Sequence, residues 1–183
     1  MGAPMRSIVR LAAAAALLTS LAACSSWPSN ATVTSSKVLP MQGAMPRLSG
    51  PTLDGGELSP SAYAGRPVVV NFWSTTCPPC KREQPMLASV ARAQGPSGPV
   101  FIGVSYRDAE DAARAWLRRY DVPYANVRDP AGSIASTFGV TVGLPMTFVA
   151  DADGQLRYRV FGEIDRQTLE DLISRVSAPP SPS

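Results

Sequence analysis

The most constraining feature of this chain is a join. Pro67-Val-Val-Val-Asn-Phe-Trp73 is a near-continuous β-branched and aromatic run, the pattern of a central strand buried on both faces. Cys77-Pro-Pro-Cys80 follows it directly, and a helix is predicted from there to about Ala93. A buried strand that passes straight into a helix commits the chain to layered α/β packing. The cysteine pair stands where the helix begins. Free N–H groups and the positive end of the helix dipole favour a thiolate there. Cys80 lies one turn deeper than Cys77, within reach of a mixed disulfide formed on Cys77. The spacing therefore supplies a nucleophile and a resolving thiol together.

The remaining order of elements agrees with that layering. Leu48 to Leu53, the Gly55-Gly56 turn and the stretch at Leu58 predict a small hairpin. Val100 to Ser105 is a second buried strand. Asp108 is a candidate helix cap, with Ala112, Ala113, Trp116, Leu117 and Tyr120 recurring on one face. A short strand near Tyr124 to Val127 and a helix near Gly132 to Phe138 come next. Met146 to Ala150 and Leu156 to Phe161 bracket the turn Asp151-Ala-Asp-Gly154. That turn lacks the oxygen ligands of a calcium loop. Asp165 caps a last helix through Val176. The expected fold is α/β with a mixed central sheet flanked by helices, preceded by an N-terminal hairpin.

Composition excludes several chemistries. The 183 residues suit one domain with flanking segments. There is no histidine, so Ser–His and Cys–His catalysis and His-ligated metal are excluded. Three cysteines cannot build a disulfide scaffold, and one CxxC gives zinc only two ligands. The reading needs no metal and no cofactor. The formal charge of +3 includes Arg6 and Arg10 of an apparent leader; without them 15 basic side chains face 14 acidic ones. Nothing in that balance indicates nucleic acid.

Residues 1–23 have the form of a secretory signal, with Arg6 and Arg10 ahead of the apolar run Leu11 to Ala23. At about 1.5 Å per residue this run spans roughly 20 Å, short of a bilayer core of about 30 Å. Leu21-Ala-Ala-Cys24 resembles the bacterial lipobox, which makes Cys24 the lipid-attachment residue and the mature N-terminus. Two acyl chains suffice for stable anchoring. Residues 24–45 are expected to be a flexible tether, 46–176 the folded domain, and 177–183 a disordered tail.

Asn71-Phe-Trp-Ser-Thr-Thr-Cys-Pro-Pro-Cys-Lys-Arg-Glu-Gln-Pro85 resembles the thioredoxin fold, in particular the membrane-tethered TlpA/ResA/CcmG-like thiol–disulfide oxidoreductases. Asp129-Pro-Ala-Gly132, Phe138-Gly-Val140, Gly143-Leu-Pro-Met-Thr-Phe148 and Asp153-Gly154 add to the match. The resemblance implies that Cys77 attacks and Cys80 resolves. It implies a cis Pro145 facing the CxxC and presenting the Leu144 backbone to an extended substrate, and a helix bent at Pro85. Trp73, Thr76, Pro78 and Pro79 complete the implied substrate-binding set.

Two positions depart from the pattern. Asn71 stands where thioredoxins carry a buried Asp, which leaves Glu83, one turn after Cys80, as the candidate proton-transfer acid. Thr76 replaces the Trp common beside the first cysteine. Lys81 and Arg82 are read chiefly as solvated helix charges.

The implied activity is reduction of disulfides in exported proteins, with apocytochrome c as substrate and a CcdA/DsbD-class membrane protein as electron donor. CxxC alone leaves the direction of electron flow open, so an oxidase or isomerase of the same fold is the alternative. A thiol peroxidase has Ser74 at its expected offset but lacks the upstream proline, since Val70 stands there. A non-catalytic binding lipoprotein is the remaining reading.

Overall fold

The computed structural model describes residues 36–141 and 143–178. The leader, Cys24 and most of the expected tail lie outside the described residues. The main sheet has six strands in the order β1-β8-β7-β4-β5-β6. At its centre is β4 (Val68–Trp73), every residue of which is buried. It pairs in parallel with β5 (Val100–Tyr106) and antiparallel with β7 (Met146–Ala150). Beyond β5 lies β6 (Asn126–Asp129), also parallel. Beyond β7 lies β8 (Leu156–Phe161), antiparallel. The short strands β2 (Gly50–Pro51) and β3 (Glu57–Leu58) form the separate hairpin that the Gly55-Gly56 turn predicts.

Alternation along β4 divides the core between the two faces. Val68, Val70 and Phe72 point to one side, with Phe148, Leu48 and residues of α3 (Ser133–Thr137). Phe72, Phe138 and Phe148 meet there at centroid separations of 5.2, 5.7 and 5.2 Å. Val69 points to the other side and packs with Leu87 and Val90 of α1 (Pro78–Gln94) and with Leu169, Leu172 and Ile173 of α4 (Arg166–Ser177). Each such side chain, fully buried, contributes roughly 1.5–3 kcal/mol, so the site rests on a rigid centre. Asp165 caps α4 through its bond from Thr168 N (2.8 Å).

Three expectations are corrected. Lys37–Pro40, inside the stretch read as tether, is strand β1, paired antiparallel with β8 from Lys37–Phe161 to Pro40–Tyr158. Met41 N and Met45 N continue the contact, bonding Arg157 O and Gly154 O. An uncovered β8 would present unpaired backbone groups at a sheet edge, and this segment satisfies them. Asp108 does not cap α2 (Glu110–Tyr120): the cap position is Ala109 and carries no side-chain bond. β6 begins at Asn126, two residues later than expected. The Asp151–Gly154 segment is a plain turn, with Asp151 Oδ1 accepting from Asp153 N and Gln155 N.

Candidate active site

Cys77 is the N-cap of α1, in extended backbone (φ −89°, ψ 108°), with proline in the helix's opening positions. Proline is suited to that turn, where its missing N–H leaves no bond unmade. Cys77 N donates to Ser74 O (3.1 Å), and Cys80 N donates to Cys77 Sγ (3.2 Å). The sulfur thus occupies the place of a capping oxygen, where a thiolate gains from the helix N–H groups. Cys77 and Cys80 are joined as a disulfide, with their Cα atoms 5.3 Å apart. Cys77 is 9% exposed and Cys80 1%. An open groove of about 400 Å³ borders Cys77, walled by Thr76, Pro78, Pro79, Tyr106, Arg107 and Leu144. Only the first cysteine lines it.

One turn beyond Cys80, Glu83 is 2% exposed. Its Oε1 accepts from Asn71 Nδ2 (2.9 Å) and its Oε2 from Ile164 N (2.9 Å). Burial pushes the carboxyl up to about 8, against the opposing pull of those two donors. Desolvation wins because two neutral donors replace only part of the water a carboxylate loses. Asn71 Nδ2 also donates to Thr147 Oγ1 (3.0 Å) on the neighbouring strand. A buried, protonatable carboxyl therefore lies one helical turn beyond Cys80.

The other sequence-selected residues fall in different places. The Leu144–Pro145 bond is cis; Leu144 lines the groove, while Pro145 is buried beside it. Thr76 and Pro78 are exposed at the rim, with Pro79 half-buried. Trp73 is not a substrate contact among the described residues. It is 1% exposed, stacks on Trp116 with centroids 5.0 Å apart, and donates through Nε1 to Asn126 Oδ1 (2.9 Å). It supports the cysteines from beneath. Gly103 makes room for that bond, since a Cβ there would lie 1.8 Å from Asn126 Oδ1. Lys81 is exposed, and Arg82 pairs at the surface with Glu163.

Sequence reasoning missed the role of Asp108. Its carboxylate accepts from Ser74 Oγ (2.9 Å), Thr75 N (3.0 Å), Thr75 Oγ1 (2.7 Å) and Ser105 Oγ (3.2 Å). It fastens the loop that delivers Cys77. Ser74, the residue at the peroxidase offset, has its hydroxyl engaged by Asp108 and Thr76. Tyr106 and Arg107, which wall the groove, had no local signal either, because Tyr106 ends β5 and Arg107 follows it, 26 or more residues beyond Cys80.

A mixed sheet with a cysteine pair at the head of α1 and a cis-proline loop alongside defines a thioredoxin-like thiol–disulfide oxidoreductase. The chain belongs to the AhpC/TSA family, which it matches over residues 41–159. It is 35% identical over 128 residues to the thiol:disulfide interchange protein DsbE of Pseudomonas fluorescens biotype C, covering 69% of each chain. It is 27% identical over 125 residues to the thiol-disulfide oxidoreductase ResA of Bacillus thuringiensis, covering 68% of this chain and 72% of that one. Among solved structures it resembles a secreted disulfide oxidoreductase of Mycobacterium tuberculosis homologous to E. coli DsbE. That likeness has a TM-score of 0.63 and 25% identity, over 70% of this chain and 96% of the other.

Proposed function

We propose that this oxidoreductase works outside the cytoplasm, anchored by lipid on Cys24, and reduces disulfides in exported proteins, apocytochrome c among them. The observation that carries the reading is the asymmetry of the pair. Cys77 lines an open groove at a helix N-terminus, whereas Cys80 is enclosed beside a buried carboxyl. The likeness to DsbE and ResA supports the same substrate class.

In the forward direction, Cys77 thiolate attacks one sulfur of the substrate disulfide. That S–S bond breaks and the departing substrate sulfur takes up a proton. The ionised form of Glu83, a minority near neutral pH, takes the Cys80 proton. The Cys80 thiolate attacks Cys77 Sγ, the bond from Cys77 to the substrate breaks, and the second substrate sulfur leaves and takes up a proton from water. The substrate gains two electrons and two protons, and the protein is left with the Cys77–Cys80 disulfide. A membrane dithiol donor of the CcdA/DsbD class returns it to the reduced form.

Trapping tests the proposal. A Cys80→Ala variant produced in its native host is expected to accumulate mixed disulfides through Cys77 that include apocytochrome c. Capture of the same proteins by the Cys77→Ser, Cys80→Ala double variant would refute it.

A further inference from the structure

Arg107 is the one charged side chain among the residues that wall the groove. With threonine at position 76 the site has no large side chain next to Cys77, so the far wall falls to Tyr106, Arg107 and Leu144. Four features hold Arg107 in place there. Its backbone is left-handed (φ 55°), uncommon outside glycine, and its N–H donates to Asp129 O (3.0 Å). Its guanidinium lies 5.0 Å from the centroid of the Tyr106 ring. Both side chains rest against Gly132, where a Cβ would come within 2.9 Å of the Tyr106 ring and 3.0 Å of Arg107 Nε.

The charge so placed is not neutralised. Six of the described arginines pair with a carboxylate; Arg107 is among those that do not, and of these it alone lines the groove. The two acids nearest it along the chain and across the sheet are otherwise engaged. Asp108 holds the Ser74–Thr75 loop. Asp129 accepts from Ile134 N and Ala135 N at the start of α3. An exposed, unpaired guanidinium that shares the groove with Cys77 is equipped to take a carboxylate in bidentate fashion.

We propose that Arg107 is a specificity-determining residue, which makes the groove favour disulfides flanked by an acidic side chain. The carboxylate pairs with Arg107 while the adjacent sulfur meets Cys77. This rests on the reading of Cys77 as the attacking thiol.

The test uses the reduced full-length chain and two symmetrical peptide disulfides that differ only in Glu or Lys beside the cysteine. Second-order rate constants for attack are measured at neutral pH in low salt and at about 0.5 M salt. The charge is removed by Arg107→Asn and reversed by Arg107→Asp, since both residues tolerate left-handed backbone; Arg107→Lys restores it. The Glu-to-Lys rate ratio of the wild type is expected to exceed that of Arg107→Asn by about two- to fivefold, the range of an exposed ion pair. It falls below the Arg107→Asn value in Arg107→Asp, partly recovers in Arg107→Lys, and shrinks in high salt. Taking ratios removes any general effect of Arg107 on Cys77 reactivity, which would change both rates alike. Equal ratios in the wild type and Arg107→Asn would overturn the proposal while leaving the oxidoreductase reading intact. Failure of the wild type to react with either peptide or with insulin would overturn both.

Discussion

Replacing Glu83 by Gln removes one ionisable proton from the interior and little else. Glu83 is nearly inaccessible, and burial pushes its carboxyl from 4.5 to about 8. Each unit corresponds to about 1.4 kcal/mol. In the unfolded chain the carboxyl ionises near 4.5, whereas in the fold it keeps its proton until about pH 8. Between those values the native state holds one proton more than the unfolded state. This group's contribution is thus fully present below about pH 4.5 and is lost as pH rises through about 8. The loss approaches 1.4 kcal/mol per unit within the window, with roughly 5 kcal/mol as its upper limit. The amide of Glu83→Gln can still accept from Ile164 N. Asn71 Oδ1, which has no hydrogen-bond partner among the described residues, can turn to accept from the new amide. The variant should therefore fold. Urea unfolding of the reduced and oxidised forms at half-unit steps from pH 5 to 8.5 measures the effect. The wild type should lose stability across this range relative to Glu83→Gln, and resolution of a preformed mixed disulfide should be slower in the variant. Parallel stability curves for the two proteins would mean that burial does not raise the Glu83 carboxyl in the fold, and equal resolution rates would remove its proton-transfer role.

Two further outcomes bear on the anchor and the cysteines. Cys24→Ala should abolish lipid labelling and release the domain to the soluble fraction; unchanged membrane association would refute lipid anchoring there. In the reduced protein Cys77 should alkylate with iodoacetamide well before Cys80, because it lines the groove and its sulfur accepts the Cys80 N–H. Mass spectrometry of partly alkylated protein reads the order, and faster labelling of Cys80 would reverse the assigned roles.

What was legible in the sequence depended on local pattern. The β4 run, the Pro78–Pro79 helix start, the two hairpins and the Asp165 cap each follow from residues adjacent in the chain. The i+3 spacing of Cys80 and Glu83 is likewise a property of a single helix. What escaped depends on distant pairing. β1 exists because β8, more than a hundred residues later, offers an open edge. Asp108 resembles a helix cap by position, yet its partners Ser74 and Thr75 lie 34 and 33 residues away on the loop from β4. The family resemblance put Trp73 in the substrate-binding set, whereas the structure buries it. Strand alternation carried the correcting signal: Trp73 shares a face with Val69 and Asn71, the face covered by helices.

The same alternation explains why Asn71 and Glu83 belong together. Asn71 occupies the position of the buried thioredoxin aspartate, and its Nδ2 lies 2.9 Å from Glu83 Oε1. An aspartate there would set two carboxyls at hydrogen-bond distance in a site already costly for one charge. The two would share a proton and titrate as a pair, with one value driven far above the other. With asparagine, the partner is a neutral donor, and the Glu83 carboxyl is raised chiefly by burial, with a smaller push from Glu163. Thr147 Oγ1 accepts the second Nδ2 hydrogen. The departure at position 71 and the glutamate at position 83 are therefore one arrangement: the acid has moved from the strand to the helix, onto the element that carries Cys80. There it stands one helical turn from Cys80, where the proposed proton exchange with that sulfur meets a neutral amide rather than a second carboxyl at hydrogen-bond distance.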